Sequence, residues 1–357
     1  MLVNQHSSRW EKLSLELPGA YISKFKGTSQ STETSILRSL HLSSPDQEGA
    51  FAMDNVVPKP TSVRLYNRIF KSDTISWEDV AKAEIHYALL HECLELLEVA
   101  PKLRDVELSA VSSASASFFP LPTTVITRPS LRVLDIHFDD VVAGLGFFDK
   151  VNLPSLEKLD INMSGEQLPV IPMLSFLRHS SCSLKEFNAA EFEYESEELL
   201  ALLEAMPSLE RLTLMPSLEM KIGPNDILDL LAQTATTDSN SNNDNPEEQD
   251  DEFKFLPCLQ SFVFESSQNV NWSLVRHAFG HPDTFDRRPL YTIHFRFPPA
   301  VFHSLESVIE KEAIPDIVEV LRAGFDLKAM SSNADVDLIG MAIDHYSILD
   351  GMPAPIF

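Results

Sequence analysis

The sequence predicts an α/β fold, a leucine-rich-repeat solenoid forming an irregular horseshoe of roughly eleven strand-plus-helix repeats with a helical C-terminal cap. Three observations carry the prediction: a recurring apolar phrase, a spacing of 20 to 31 residues between nearly all of its copies, and amphipathic stretches between them.

The phrase is clearest at Pro154-Ser155-Leu156-Glu157-Lys158-Leu159-Asp160-Ile161 and at Pro207-Ser208-Leu209-Glu210-Arg211-Leu212-Thr213-Leu214. Copies with the same apolar offsets of zero, three and five start at Leu103, Leu131 and Leu259. Looser ones are Trp10/Leu13/Leu15, Leu37/Leu40/Leu42, Pro60/Val63/Leu65, Val80/Ala83/Ile85, Leu184/Phe187/Ala189 and Leu290/Ile293/Phe295. The last two apolar places alternate with polar ones, as in a strand that buries one face. A proline before several strands ends whatever helix came before it. Upstream of such prolines, Leu89–Leu97 and Glu197–Met206 have the apolar periodicity of helices packed on one side.

One gap of 50 residues, between Leu209 and Leu259, contains a Thr/Ser/Asn/acid tract at about 234–253 without apolar periodicity. It reads as a looped-out insertion, either a docking tail or a tolerated surface loop. The solenoid is therefore expected over 1–297. Residues 298–357 form the cap and tail, with helices near 300–312 and 315–323 and a stop at Gly324. The first phrase begins within ten residues of Met1 and leaves no room for a cap on the opening strand.

Lys and Arg number 28 and Asp and Glu 53, a net charge of −25 that repels phosphate backbones and anionic lipid. Nucleic acid and membrane are accordingly not expected as partners. Cys93, Cys182 and Cys258 lack metal or disulfide spacing, and no secretory leader or run of about 18 apolar residues is seen, so a cytoplasmic or nuclear location is expected. The sequons at Asn162 and Asn271 then read as chance matches.

No catalytic constellation, cofactor site or metal site is expected. Gly144-Leu145-Gly146-Phe147 lacks the glycine and base of a nucleotide loop and reads as a turn. His91-Glu92 lacks the second histidine of a zincin, Cys93 and Cys182 read as structural thiols, and Asp139-Asp140 as a solvated loop. The chain is expected to bind and not to catalyse.

The candidate binding surface is the concave sheet face, where polar positions of successive strands stand side by side. Reading along it gives Ser39 and His41, Arg64 and Tyr66, Lys82 and Glu84, Asp105 and Glu107, Asp135 and His137, Lys158 and Asp160, Glu186 and Asn188, Arg211 and Thr213, Ser261 and Val263, and Thr292 and His294. Its acid-weighted middle makes Glu84, Glu107, Asp135, His137, Asp160 and Glu186 candidate partner-binding residues. The expected partner is an unidentified protein with a basic segment; acids that merely solubilise the sheet are the plainer alternative.

Three stretches, Ser8–Leu15, His91–Leu103 and Leu174–Leu184, together with the Pro-x-Leu phrases, resemble the F-box and leucine-rich-repeat-like proteins of mushroom-forming fungi over about residues 8–265. The resemblance implies the substrate-presenting half of a ubiquitin-ligase receptor. Its F-box, which would dock a Skp-type linker and cullin, opens on Leu-Pro-x-Glu; here the nearest string is Leu17-Pro18-Gly19-Ala20. A ligase substrate receptor completed by a docking module elsewhere and an autonomous scaffold or decoy both stay open.

Overall fold

A computed structural model describes residues 9–26, 35–54, 56–113, 120–217, 223–234, 255–265, 268–280, 289–298, 308–331 and 336–349. The chain is α/β and divides into two compact units, Met1–Ser183 and Leu184–Phe357. Apart from Thr234, the acidic tract at 234–253 lies outside the described residues.

In the first unit the order is β1 (Lys12–Glu16), α1 (Gly19–Ile22), β2 (Ser39–Ser43), β3 (Ser62–Tyr66), β4 (Lys82–His86), α2 (Leu90–Val99), β5 (Asp105–Val111), β6 (Ile126–Thr127), β7 (Val133–Phe138), α3 (Val141–Lys150), β8 (Val151–Asn152), β9 (Lys158–Asn162) and α4 (Val170–Ser180). Strands β1, β2, β3, β4, β5, β7 and β9 pair in that order, all parallel, and β6 pairs with β8 alone. In the second unit β10 (Glu186–Ala190), α5 (Ser196–Glu204), β11 (Arg211–Met215), α6 (Asn225–Gln233), β12 (Ser261–Glu265), α7 (Trp272–Phe279), β13 (Thr292–Phe297), α8 (Ile314–Arg322), β14 (Asp326–Ser331) and α9 (Leu338–Leu349) follow, and the five strands again pair in parallel in sequence order.

Each of the eleven phrases puts its second and third apolar positions inside a strand, in phase with the neighbouring phrase of its own unit. Leu40 faces Val63, Val63 faces Ala83 and Leu134 faces Leu159, while in the second unit Leu212 faces Phe262 and Phe262 faces Ile293. The phase is locked at most strand entries within a unit, where two consecutive N–H groups donate to one carbonyl of the preceding strand's entry. Arg38 and Ser39 share Glu11 O, Thr61 and Ser62 share Arg38 O, Ala81 and Lys82 share Thr61 O, and the pattern returns at Glu210 and Arg211 on Lys185 O. Fixed entries and a period of two send the same apolar places inward every time, where Leu42, Leu65, Leu108, Ile136, Phe187 and Phe264 are fully buried.

The returns between strands are less uniform than the expected strand-plus-helix unit. Helices follow β4, β7 and β9, but β2 and β3 return through coil, with Pro45, Gly49 and Pro58 in the first return. A polar clamp takes the helix's place. The Arg68 guanidinium, with a side chain 0% exposed, donates from Nη1 to Glu48 O at 3.0 Å and from Nη2 to Gly49 O at 2.6 Å and Asp73 Oδ1 at 2.5 Å. Asp73 also accepts from Phe51 N at 2.8 Å. Burial raises the Asp73 carboxyl above its ordinary value, and the bonds from Arg68 and Phe51 pull against that rise. Around the clamp Phe51, Phe70 and Trp77 are buried, the last two with ring centres 4.7 Å apart.

Two sequence expectations are corrected. Gly144 to Phe147 is not a turn but the middle of α3, where a Cβ on Gly146 would stand 2.7 Å from Leu90 Cδ2 of α2, so that this glycine lets the two helices pack closely. The segment after 298 is not only helical: α8 ends before Gly324 as expected, at a φ of +83°, but β14 then adds a strand parallel to β13. Of the helix expected near 300–312, residues 300–307 lie outside the described residues and 311–313 form a single 3-10 turn.

Candidate functional site

With Leu, Val and Ile turned inward, the polar positions of the first unit's strands form an open face whose rows follow from the register. One row runs Lys12, Ser39, Ser62, Lys82, Asp105, Val133, Lys158, and the next runs Ser14, His41, Arg64, Glu84, Glu107, Asp135, Asp160. Glu84, Glu107, Asp135 and Asp160, which the sequence singled out, thus stand on four consecutive strands in a single line.

The expected ladder slips by two residues at β3 and at β7. Ser62 and Arg64, and Val133 and Asp135, occupy the shared rows, so Tyr66 and His137 lie one row further on. At β7 that row is also broken: Leu108 faces Ile136 but Val111 faces Phe138, a bulge centred on Ala110 at a φ of +55°. His137 Nε2 there lies 2.7 Å from Ser164 Oγ. Glu186 belongs to the second unit, where it accepts from Arg211 Nε at 2.8 Å and Asn188 Nδ2 at 3.1 Å.

Charges along the acidic line are unequally compensated. Glu84 accepts from Arg64 Nε at 2.6 Å and lies 2.9 Å from His86 Nε2; burial pulls its carboxyl upward, but those two partners outweigh it and hold it below the ordinary value. Asp160 has Lys158 Nζ at 3.1 Å. Asp135 is the exception: burial first, and then the carboxylates of Asp160 and Glu107, push it up to about 6, with Lys158 only partly offsetting them.

That shift fixes a pH dependence. Unfolded, Asp135 titrates near its ordinary value; folded, it titrates near 6, so the folded state takes up the proton first. Its contribution to stability rises as pH falls from 7 through 6 towards 4, and is constant below that. We expect Asp135→Asn to raise the urea midpoint at pH 7 and to remove part of the gain the native chain shows between pH 7 and pH 5. Parallel pH profiles for the two proteins would contradict this.

Glu84, His86 and Glu107 place one ligand atom each within 4.8 Å of one another, a donor set suited to a divalent cation, although Arg64 already supplies positive charge to Glu84. Beside them Tyr66 and Tyr87 are exposed and meet edge to face at 5.3 Å, with their hydroxyls 3.3 Å apart. Sequence reading missed this pair because Tyr66 was placed a row early and Tyr87 lies just past the end of β4.

The other motifs resolve into structural roles. Glu92 caps α2, accepting from Leu89 N at 3.0 Å and from Phe70 N at 3.1 Å. Asp140 is the N-cap of α3, accepting from Ala143 N at 2.8 Å and Ser113 N at 2.8 Å, and Asn271 caps α7 by accepting from Ser273 N. Cys93 is buried, and burial pushes both its thiol and that of half-buried Cys182 upward, away from thiolate chemistry. Among the described residues no helix is long and apolar enough to cross a membrane.

No family model matches the chain, and a search of curated proteins returns no match.

Proposed function

We propose that this chain is a protein-interaction module: a leucine-rich-repeat solenoid whose strand face binds a partner segment rich in lysine and arginine. The observation that carries the reading is the line Glu84, Glu107, Asp135, Asp160. Four acids at a strand spacing of about 4.8 Å span about 15 Å, long enough for several residues of an extended chain. Asp135, pushed up to about 6 by burial and then by the carboxylates of Asp160 and Glu107, is relieved by an incoming cation, which gives the line a reason to bind one. The in-phase apolar repeat and the recurring strand-entry bonds support the solenoid reading.

The biological setting that fits the resemblance of the repeats is substrate presentation to a ubiquitin ligase in cytoplasm or nucleus, with an F-box-type docking module supplied elsewhere. A scaffold or decoy without a ligase is the second reading. Affinity purification of the tagged chain separates them: co-purification of a Skp-type linker and cullin supports the receptor, and specific prey without them supports the scaffold.

The binding face itself is tested with a fluorescent oligolysine peptide. Glu107→Lys, Asp135→Lys and Asp160→Lys together are expected to weaken it by about tenfold or more, with native binding falling as salt rises. Unchanged affinity in a variant whose circular dichroism is native would sink the proposal.

A further inference from the structure

The opposite end of the same face has the reverse character. Between β1 and β4 lies a cavity of about 410 Å³ lined by Lys12, Ser14, Ser39, His41, Ser62, Arg64, Lys82 and Glu84. In a chain with 53 acidic and 28 basic residues, this cavity brings three permanent cations and a histidine together against one carboxylate.

We propose that this cavity binds a phosphomonoester dianion. The register sets Lys12, Ser39, Ser62 and Lys82 on four neighbouring strands in one row, with Ser14, His41 and Arg64 beside them in the next, so donors from two rows line one cavity. A tetrahedral group with three outward oxygens uses such a set more fully than a planar carboxylate can. Lys12 is exposed, and no partner for it is found among the described residues. Lys82 and Arg64 are each anchored by the next strand of their own row, Lys82 by Asp105 at 2.8 Å and Arg64 by Glu84 at the cavity's edge; the guanidinium spends only its Nε and Nη2 donors there. Anchored cations lose less side-chain freedom when a ligand arrives. His41 engages Ser14 Oγ through Nδ1 at 3.0 Å, which leaves Nε2 for a further bond.

Phosphate could come free, as a small molecule, or on a side chain of the partner docked along the acidic line, and the test separates these. Titration calorimetry on the full chain uses inorganic phosphate, a peptide with phosphoserine followed by four lysines, and the same peptide with serine. We expect phosphate to bind and the phosphopeptide to bind about tenfold tighter than the serine peptide; Lys12→Glu with Ser62→Ala should remove both effects while leaving the serine peptide's affinity intact. Phosphopeptide binding stronger than that of the serine peptide assigns the dianion to a partner side chain, and inorganic phosphate binding with equal affinity of the two peptides assigns a free phosphate. Absence of binding by both phosphate probes, or binding that survives in the folded double variant, overturns the proposal. The Glu107/Asp135/Asp160 reversal tests the acidic line alone: it should abolish the serine peptide's binding and spare inorganic phosphate, so failure of one site is distinguishable from failure of the other.

Discussion

Arg68→Ala is expected to cost about 3–5 kcal/mol of stability, the range for removing one partner of a buried ion pair. Four donor–acceptor contacts end on this guanidinium, and neither it nor Asp73 reaches solvent. Alanine strands the Asp73 carboxylate, already raised by burial, beside Phe51 and leaves the carbonyls of Glu48 and Gly49 without their donor. In a chain of neighbour-to-neighbour packing the loss is local, so hydrogen exchange over residues 37–77 reports it better than a single melting temperature. Arg68→Met with Asp73→Leu, which removes both charges and keeps volume, should recover much of the loss. Native exchange rates in Arg68→Ala would show that the clamp contributes little.

Gly49→Ala is expected to be comparably damaging for a different reason. Gly49 has a φ of +73°, and a Cβ there would lie 2.1 Å from the carbonyl oxygen of Gly19, while a Cβ on Gly19 would lie 1.5 Å from Glu48 O. Two backbones touch without side chains between them, and backbone does not yield as a side-chain tip does. Left-handed strain of about 1–2 kcal/mol adds to overpacking of about 1–3 kcal/mol. The carbonyl of Gly49 also accepts from Arg68, so any shift there loosens the clamp as well. The expected result is loss of exchange protection at β1 to β3 while β7 and β9 stay protected. Protection kept throughout would mean that the two backbones separate at low cost.

The strands were legible because their signal repeats: an apolar residue at every second place, in phase across the set. β14 escaped because its phrase starts at Gly324, which has no side chain to bury, and lacks a preceding proline; only Leu327 and Ala329 mark it. The coil returns after β2 and β3 escaped because a fully buried arginine looks, in sequence, like any surface base. The acidic line was read correctly as composition and wrongly as geometry at two strands. A strand's alternation is unchanged by a shift of two, so parity told which residues face out but not which row Tyr66 and His137 join. The basic cavity was invisible for a related reason: each of its cations comes from a different strand, diluted among acids, and only the register assembles them.

The shared-carbonyl entry bonds have one more consequence. Val63 and Ala83 are twenty residues apart and Leu212 and Phe262 fifty, yet both pairs stand face to face in the same register. The distance travelled between strands leaves no trace in their alignment. Returns of very different length therefore leave the rows of the open face at the same addresses. The register of the face and the length of the chain between its strands are separable in such a molecule.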